Sequence, residues 1–566
     1  MKLTRKLHKT KTAVSFILAL AATLIFTAAC KKKADDVYRI DVYSQLANYA
    51  GHQVGWFGKI VKDKFNMEFN IIPTADGVFS TRMASGKLGD LILFGNDGAE
   101  FIDAIEAGML LDWSQGDILH QYGPDIDRNL SKALKKNADA FGGGKRIYGF
   151  GHDVSGTPLS SQASFYHPDI RFDLYARIGC PPIPHFMSYL YVLKRMVDLA
   201  PKSDSGLPAY GISLFKDWDG DTVMSVKCIG AFYGYDEFGF TLYNAADNTV
   251  QPVLDDDSMY LQGLSFYNKA FQMGILDPDS ATQTFSDIIQ KYADGRVYWS
   301  LFSWLGPVNY NTAERLAWGK GMFAVPAADQ KNIAYGTSVY GYNRIWSIGS
   351  KAKYPERIME FINWLCTPEG VMTQNYGPRG LTWDYDIDYK AYFTPLGIKI
   401  HDGDKSVHIP EAYGGGTYLD GENKMNNSTY SIDEINPITG ERYNKAFWSS
   451  ELNRNSNPAK NAWREYMGVL SEDELLEKHN YKTIAVASDF IMAPRSDALE
   501  QKWVQVSNAI KTGSWRAIYA NSDAEYNKIV ADMISQAKAF GYDECIEWNR
   551  AQGRLRANAV KRALEE

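Results

Sequence analysis

Little in this sequence invites metal, thiol or phosphate chemistry. Histidine is scarce, nine in 566 residues, and no two stand in the His-x-x-x-His spacing that puts a zinc pair on one helical face. Five cysteines are scattered through the chain. Cys180, Cys228, Cys366 and Cys545 fit neither a metal spacing nor a dense disulfide framework. Buried free thiols are expected, and a single long-range disulfide stays open. No Gly-x-Ser-x-Gly elbow occurs, so a nucleophilic serine of that type is missing. No phosphate loop of the Gly-Lys-Ser type occurs either, so any ATPase must be a separate chain. Positive charge is outweighed, 60 Lys and Arg against 67 Asp and Glu. That balance argues against nucleic acid, whose phosphates call for basic patches.

Long apolar runs are also missing, with one exception. Lys2, Arg5, Lys6, Lys9 and Lys11 form a positive segment without an acid, followed by an apolar stretch from Ala13 to Ala29, then Cys30 and three lysines. A charged start, a short apolar core and small residues before a cleavage point read as a secretory signal peptide over residues 1–29. At about 17 residues the stretch is at the lower edge of what spans a bilayer, and a transmembrane anchor is the alternative. Thr27-Ala28-Ala29-Cys30 resembles a bacterial lipobox, although leucine is usual where Thr27 stands. Cys30 would then carry the lipid, with residues 30–36 as a tether. Removing residues 1–29 takes away five cations and no acid, so the net charge moves from −7 to −12.

What remains is too long for one core, and at least two lobes are expected. Apolar spacing places a strand at 37–42, a helix at 54–65, a strand at 67–71, a further helix ending at Ser85-Gly86, and a continuous apolar run at Leu91-Ile92-Leu93-Phe94 suited to a central strand. That order is an α/β layout, whose ligands sit beyond the carboxyl ends of the strands. Asn48, Asn96 and Asp97 lie there. Further helices are expected at 188–199, 258–273, 282–293 and 355–365, and strands at 210–214, 297–302, 322–325 and 345–348. Residues 384–482 carry turn chemistry with little periodicity and read as a loop-rich insertion. Two helices, about 499–512 and 524–540, are expected to close the chain.

Several segments in order carry a resemblance. Met83-Ala84-Ser85-Gly86 with Asp90-Leu91-Ile92 is similar to an "ASG-x-x-x-D-hydrophobic" segment. Ala107-Gly108-Met109-Leu110-Leu111-Asp112 resembles an "AGLLLDL" turn, and Gly144-Lys145-Arg146-Ile147-Tyr148-Gly149 a "GKIYGIP" strand. Ile178 to Pro184 is similar to "LGLPxPxT", with His185 in place of threonine. Ser350 to Leu365 is similar to "SKxPERxxxFLNWL", followed by Thr367-Pro368-Glu369-Gly370. Together they resemble the extracellular solute-binding proteins of family 1, the maltose-binding-protein cluster, and above all the long Gram-positive lipoproteins serving sugar ABC importers.

The resemblance implies a two-lobe α/β fold of the periplasmic-binding-protein type (type II), hinged, with ligand in the cleft and no turnover. It implies a monomer that partners a carbohydrate, the permease subunits of an ABC transporter, and a membrane through its lipid. It implies no cofactor and no metal. The lobes are expected at 37–150 plus about 296–345, and at 151–295 plus about 346–566. Ligand-facing loops follow Phe94 (Asn96, Asp97) and Tyr148 (His152, Asp153). Trp218 with Asp219 would offer a stacking ring beside a carboxylate. Trp299, Trp304, Tyr342, Arg344 and Trp383 are further candidates.

Each candidate has a plainer reading. Aromatic rings more often fill cores than stack on ligands. Asn96 and Asp97 equally suit the start of the helix near Gly98, and His152 equally suits a surface. Asp217-x-Asp219-Gly220-Asp221 resembles a calcium loop but lacks the later bidentate acid. Two other functions stay open: an exported glycan-degrading enzyme, which would need two carboxylates at a set separation, and a surface glycan-binding protein without transport.

Overall fold

The computed structural model describes residues 37–565 apart from 76 and 158–163. The signal segment and Cys30 lie outside the described residues. Two large apolar cores divide the rest, one built on residues 40–154 and 346–425, the other on 170–327 and 459–546.

The first core surrounds a six-stranded sheet. Strand Tyr38–Ser44 pairs in parallel with Met67–Pro73 on one side and Leu91–Phe94 on the other. Ile345–Ile348 then runs antiparallel to Leu91–Phe94, with Ile345 opposite Phe94, and pairs next with Phe150–Gly151. Leu91, Ile92, Leu93 and Phe94 are all fully buried, as a strand covered on both faces demands. Helix Gly55–Phe65 buries Trp56, Phe57 and Val61 and ends where Asn66 takes a left-handed φ of 52°, a conformation asparagine tolerates. Helix Pro355–Leu365 starts on proline, whose missing N–H is unneeded in a first turn. Its Phe361 meets Phe57, Phe65 and Phe69 edge-on with centroids 5.0–6.3 Å apart, joining helices and sheet into one core.

In the second core Tyr166–Arg171 is the middle strand, antiparallel to both Trp299–Phe302 and Met322–Ala324. Helices Ser188–Leu199, Met259–Gln272 and Phe285–Ala293 pack around it. Thr284 and Asp287 form a reciprocal capping box at the start of the last of these.

The lobe boundaries differ from expectation. Residues 299–302 and 322–324 belong to the second sheet, and 345–348 to the first, the reverse of the division at 296–345. An apolar run of four residues identifies a buried strand but not the sheet it joins. The 384–482 segment is also divided rather than assigned wholly to the second lobe. Trp383, Phe393, Tyr443 and Trp448 pack with Tyr376 in a small core of their own beside the first lobe, whereas Trp463 enters the second core and donates from Nε1 to the Ala324 carbonyl at 2.8 Å. Residues 210–214 make only isolated bridges, at Tyr210 and Ile212.

Three helices close the chain: Asp497–Ile518, Asp523–Ala539 and Tyr542–Glu565. The third escapes an apolar-periodicity reading because its buried face includes Asn549, Gln552, Gly553 and Ala559. Polar anchors hold it. Phe240 N–H donates to Asn549 Oδ1 at 3.2 Å, Ala493 N–H to Gln552 Oε1 at 3.0 Å, and Arg556 pairs with Asp236 at 2.7 Å. Cys180, Cys228, Cys366 and Cys545 are free thiols, three of them buried.

Candidate functional site

The chain passes between the two cores three times, and parts of these passages lie side by side. Val154 bridges to both Ser338 and Tyr430. Ser155 N–H donates to the Ser338 carbonyl at 2.9 Å, Thr337 Oγ1 to Ser155 Oγ at 2.6 Å, and Ser155 Oγ to Glu434. Residues 151 and 341 approach closely: a Cβ on Gly341, whose φ is +67°, would sit 2.6 Å from the Gly151 carbonyl oxygen. Only glycine serves there.

On the first-lobe side, this strip meets the carboxyl ends of the sheet. His152 N–H donates to the Arg344 carbonyl at 2.8 Å, Arg344 N–H to His152 Nδ1 at 3.3 Å, and Tyr342 N–H to the His152 carbonyl at 2.9 Å. The His152 ring is 5.6 Å from that of Tyr342. Burial and then the Arg344 charge pull the imidazole down to about 4, so it is neutral and its Nδ1 accepts. Asp153 follows with a left-handed φ of 55°. Burial, and next the charge of Asp433, push its carboxyl up to about 6. Asp433 is itself raised by burial, against a 3.1 Å hydrogen bond from Asn444 Nδ2. The strip thus joins a left-handed backbone at Asp153 to a carboxyl whose charged form is disfavoured by burial.

Arg344 also lines a cavity of about 280 Å³ with Gln374, Asn375, Asn423, Asn426 and Asn427. Its floor is pinned to the sheet ends: Ser44 Oγ donates to the Met425 carbonyl at 2.9 Å, Asn426 Nδ2 to the Leu46 carbonyl at 2.8 Å, and Trp346 Nε1 to the Ser428 carbonyl at 2.6 Å. Asn48 is exposed nearby in sequence, in the loop after the first strand. Asn96 Oδ1 accepts from Gly98 N–H at 2.8 Å, a turn leading into helix Ala99–Glu106. Asp97 is half-buried beside it.

On the second lobe, aromatic rings gather. Trp218 is 46% exposed. Its ring centroid lies 4.3 Å from Phe285 and 5.7 Å from Trp304, and Trp304 stacks on Phe302 at 4.8 Å. The result is a ledge of partly exposed rings, able to lie against the CH faces of a ligand. Asp219 supports this ledge: its Oδ1 accepts from Met224 N–H at 2.9 Å and its Oδ2 from Trp515 Nε1 at 2.7 Å. Asp217 accepts from Phe285 N–H at 2.8 Å, and Asp221 from Trp503 Nε1 at 2.7 Å. The three acids of the calcium-like run are thus each bound to the chain itself, and no cluster of three metal-capable side chains is found among the described residues.

Two candidates stand apart from both groups. Trp299 is 2% exposed and packs against Tyr189, Phe232 and Phe266 in the second core. Trp383 is fully buried in the small core and donates from Nε1 to the Gly377 carbonyl at 2.8 Å. Tyr342 lines a separate 390 Å³ hollow with Tyr335, Phe490 and Arg556. Phe285, Asp433 and the amides at 423–427 were not singled out from sequence. The turn chemistry expected across 384–482 includes Asn426-Asn427, and Asn426 takes a left-handed φ of 57°, but nothing in a linear reading places that turn beside Arg344.

No family model matches the chain, and no curated protein matches it by sequence. Solved structures do. The chain is similar to the HMO binding ABC-transporter associated solute binding protein of Bifidobacterium longum infantis, at 13% identity and a TM-score of 0.51, over 92% of this chain and 99% of that one. It is similar to the S. pneumoniae ABC-transporter substrate binding protein FusA, as an EF-hand mutant in complex with fructo-nystose, at 15% identity and 0.52, over 92% and 99%. A third is an extracellular solute-binding protein from Bifidobacterium longum subsp. infantis, at 13% and 0.51, over 93% and 99%. The chain therefore has the two-lobe α/β fold of the solute-binding proteins.

Proposed function

We propose that this protein is the extracellular, lipid-anchored binding component of an ABC importer and that it captures an oligosaccharide between its lobes. The observation that carries this reading is the ledge of Trp218, Phe285 and Trp304 on one lobe, in a fold whose other lobe ends in an amide-lined cavity beside Arg344. Flat rings and planar polar groups are what a sugar's CH faces and hydroxyls require. The similar solved structures, one of them holding fructo-nystose, support the same class of ligand. The protein acts as a monomer, Cys30 holds it on the membrane, and closure on the ligand presents it to the permease. No helix among the described residues is long and apolar enough to cross a membrane. A thermal-shift screen over oligosaccharides, followed by calorimetry on each hit, tests the reading; an absence of any saccharide binding overturns it. Lipid labelling that persists in Cys30→Ser would remove the proposed anchor.

One observation favours the second reading, a glycan hydrolase. The charge of Asp433 helps burial raise Asp153, and a carboxyl raised beside a second one is what a general acid requires. Incubation of bound oligosaccharides with the protein decides: release of reducing ends that stops in Asp153→Asn would replace binding by hydrolysis.

A further inference from the structure

Asn427 is 8% exposed, yet neither its Nδ2 nor its Oδ1 has a hydrogen-bond partner. Buried polar atoms rarely go unpaired, because each has given up water for nothing. Here the residue lines the 280 Å³ cavity, and its loop is held on both sides by the bonds of Ser44, Asn426 and Trp346 already described. Thr429 adds another, from Oγ1 to the Leu365 carbonyl at 2.8 Å. A rigid loop thus keeps an unsatisfied donor and an unsatisfied acceptor at the wall of a cavity.

Arg344 stands beside it. Its backbone is fixed to His152 at both N–H and carbonyl, and its exposed guanidinium has no ion-pair partner among the described residues. The other lining residues are Gln374, Asn375, Asn423, Asn426, Ser428, Thr429 and Tyr430, without one carboxylate. In a chain of net charge −7, this cavity carries a cation, amide donors and no acid.

We infer that the cavity beside Arg344 takes an anionic group borne on a saccharide, a uronate carboxylate or a sulfate ester. A guanidinium presents a planar fork of donors that matches such oxygens in pairs. The Nδ2 of Asn427 supplies a further donor to the same anion. Its Oδ1 needs a donor in return, which a ring hydroxyl provides and a bare inorganic anion does not. The two orphaned atoms thus ask for a ligand that both accepts and donates, as a saccharide does, and the cation of Arg344 in a lining without an acid is what asks for charge on it.

This inference rests on the saccharide-binding reading above, and its test separates the two. Calorimetry compares uronate oligosaccharides with their carboxyl-reduced forms, sulfated galactan oligosaccharides with their desulfated forms, and neutral glucans, mannans and fructans. The expected result is that at least one anionic saccharide binds ten- to a hundredfold more tightly than its neutral counterpart, and which pair shows the gap identifies the group. Arg344→Gln should close the gap, Arg344→Lys should keep part of it, and Asn427→Ala should narrow it; thermal unfolding reports whether each variant is folded. Neutral saccharides bound as well as anionic ones, or a gap that survives Arg344→Gln, would overturn the anionic inference and leave the saccharide-binding reading standing. Failure of every saccharide, charged or neutral, would sink both.

Discussion

Trp218 and Phe285 lie with ring centroids 4.3 Å apart and planes 34° from parallel, one from the loop after Phe215 and the other from the first turn of helix Phe285–Ala293. Asp217 ties the two segments, accepting the Phe285 N–H. The ledge is thus held by its own backbone, and Trp218 contributes mainly an outward face. Trp218→Ala should weaken saccharide binding by about 1 kcal/mol or more, roughly fivefold or greater, with little change in stability. Trp299→Ala should do the opposite. That ring is buried in the second core, and removing it should cost about 3–5 kcal/mol of folding stability. Calorimetry and urea unfolding on both variants check the contrast; unchanged affinity in Trp218→Ala would take that ring out of the site.

Asp219 gives a second prediction. Burial raises its carboxyl, against hydrogen bonds from Trp515 and Met224 that favour the charged form. Asp219→Ala leaves the half-buried Trp515 Nε1 and the Met224 N–H without their acceptor, at about 1–3 kcal/mol. The loss should appear in urea unfolding and be shared by ligand-free protein. A variant of unchanged stability but weaker binding would instead make Asp219 a ligand contact.

A third prediction concerns pH. Asp153, raised to about 6, keeps its proton in the folded chain between about pH 4 and 6, where the unfolded chain has lost it. That single group makes the fold more stable as pH falls through the window and least stable above it. His152 runs against it. Lowered to about 4, it stays neutral in the fold while the unfolded chain takes up a proton below about pH 6.5, so its contribution is lost as pH falls towards 4. The wild-type profile mixes both, and the informative quantity is the difference from Asp153→Asn, a residue that tolerates the left-handed backbone. The variant should be more stable than wild type by about 1–3 kcal/mol at pH 7, and the advantage should vanish near pH 4. Urea unfolding at four pH values between 4 and 7 measures it. A difference that stays constant would mean that Asp153 does not titrate in that range.

Much of the first lobe was legible from sequence because its strands and helices declare themselves locally. The run Leu91–Phe94, the helix closed by Asn66 and the proline-started helix at Pro355 each carry their own signal. The exchange of the 299–302 and 345–348 strands between sheets was not legible, since pairing is decided by contacts more than a hundred residues apart in the chain. The site divides the same way. His152 and Asp153 could be named as candidates because they follow a strand, Phe150–Gly151, whereas Arg344 stands just before one, Ile345–Ile348. Asn427 could not: its role depends on Ser44, Leu46 and Trp346 meeting one turn from far along the chain. Trp299 and Trp383 show the converse, since composition cannot tell a ring that fills a core from one that meets a ligand.

The last prediction tests the two-lobe mechanism itself. A ligand shifts an equilibrium between open and closed forms only through contacts that differ between them. An oligosaccharide long enough to touch both the Trp218 ledge and the Arg344 cavity gains contacts on closure and should reduce the radius of gyration in solution scattering. A monosaccharide fragment that occupies only one lobe gains none, and at saturation it should leave the profile as in the free protein. Gly341→Ala offers a control within the joining strip, because the added Cβ would press on the Gly151 carbonyl at 2.6 Å and the residue is held at φ +67°. That variant should bind the monosaccharide normally yet lose affinity for the longer ligand, since its strip no longer accommodates both arrangements. Equal compaction by both ligands, or none by either, would mean that closure is not driven by bridging the lobes.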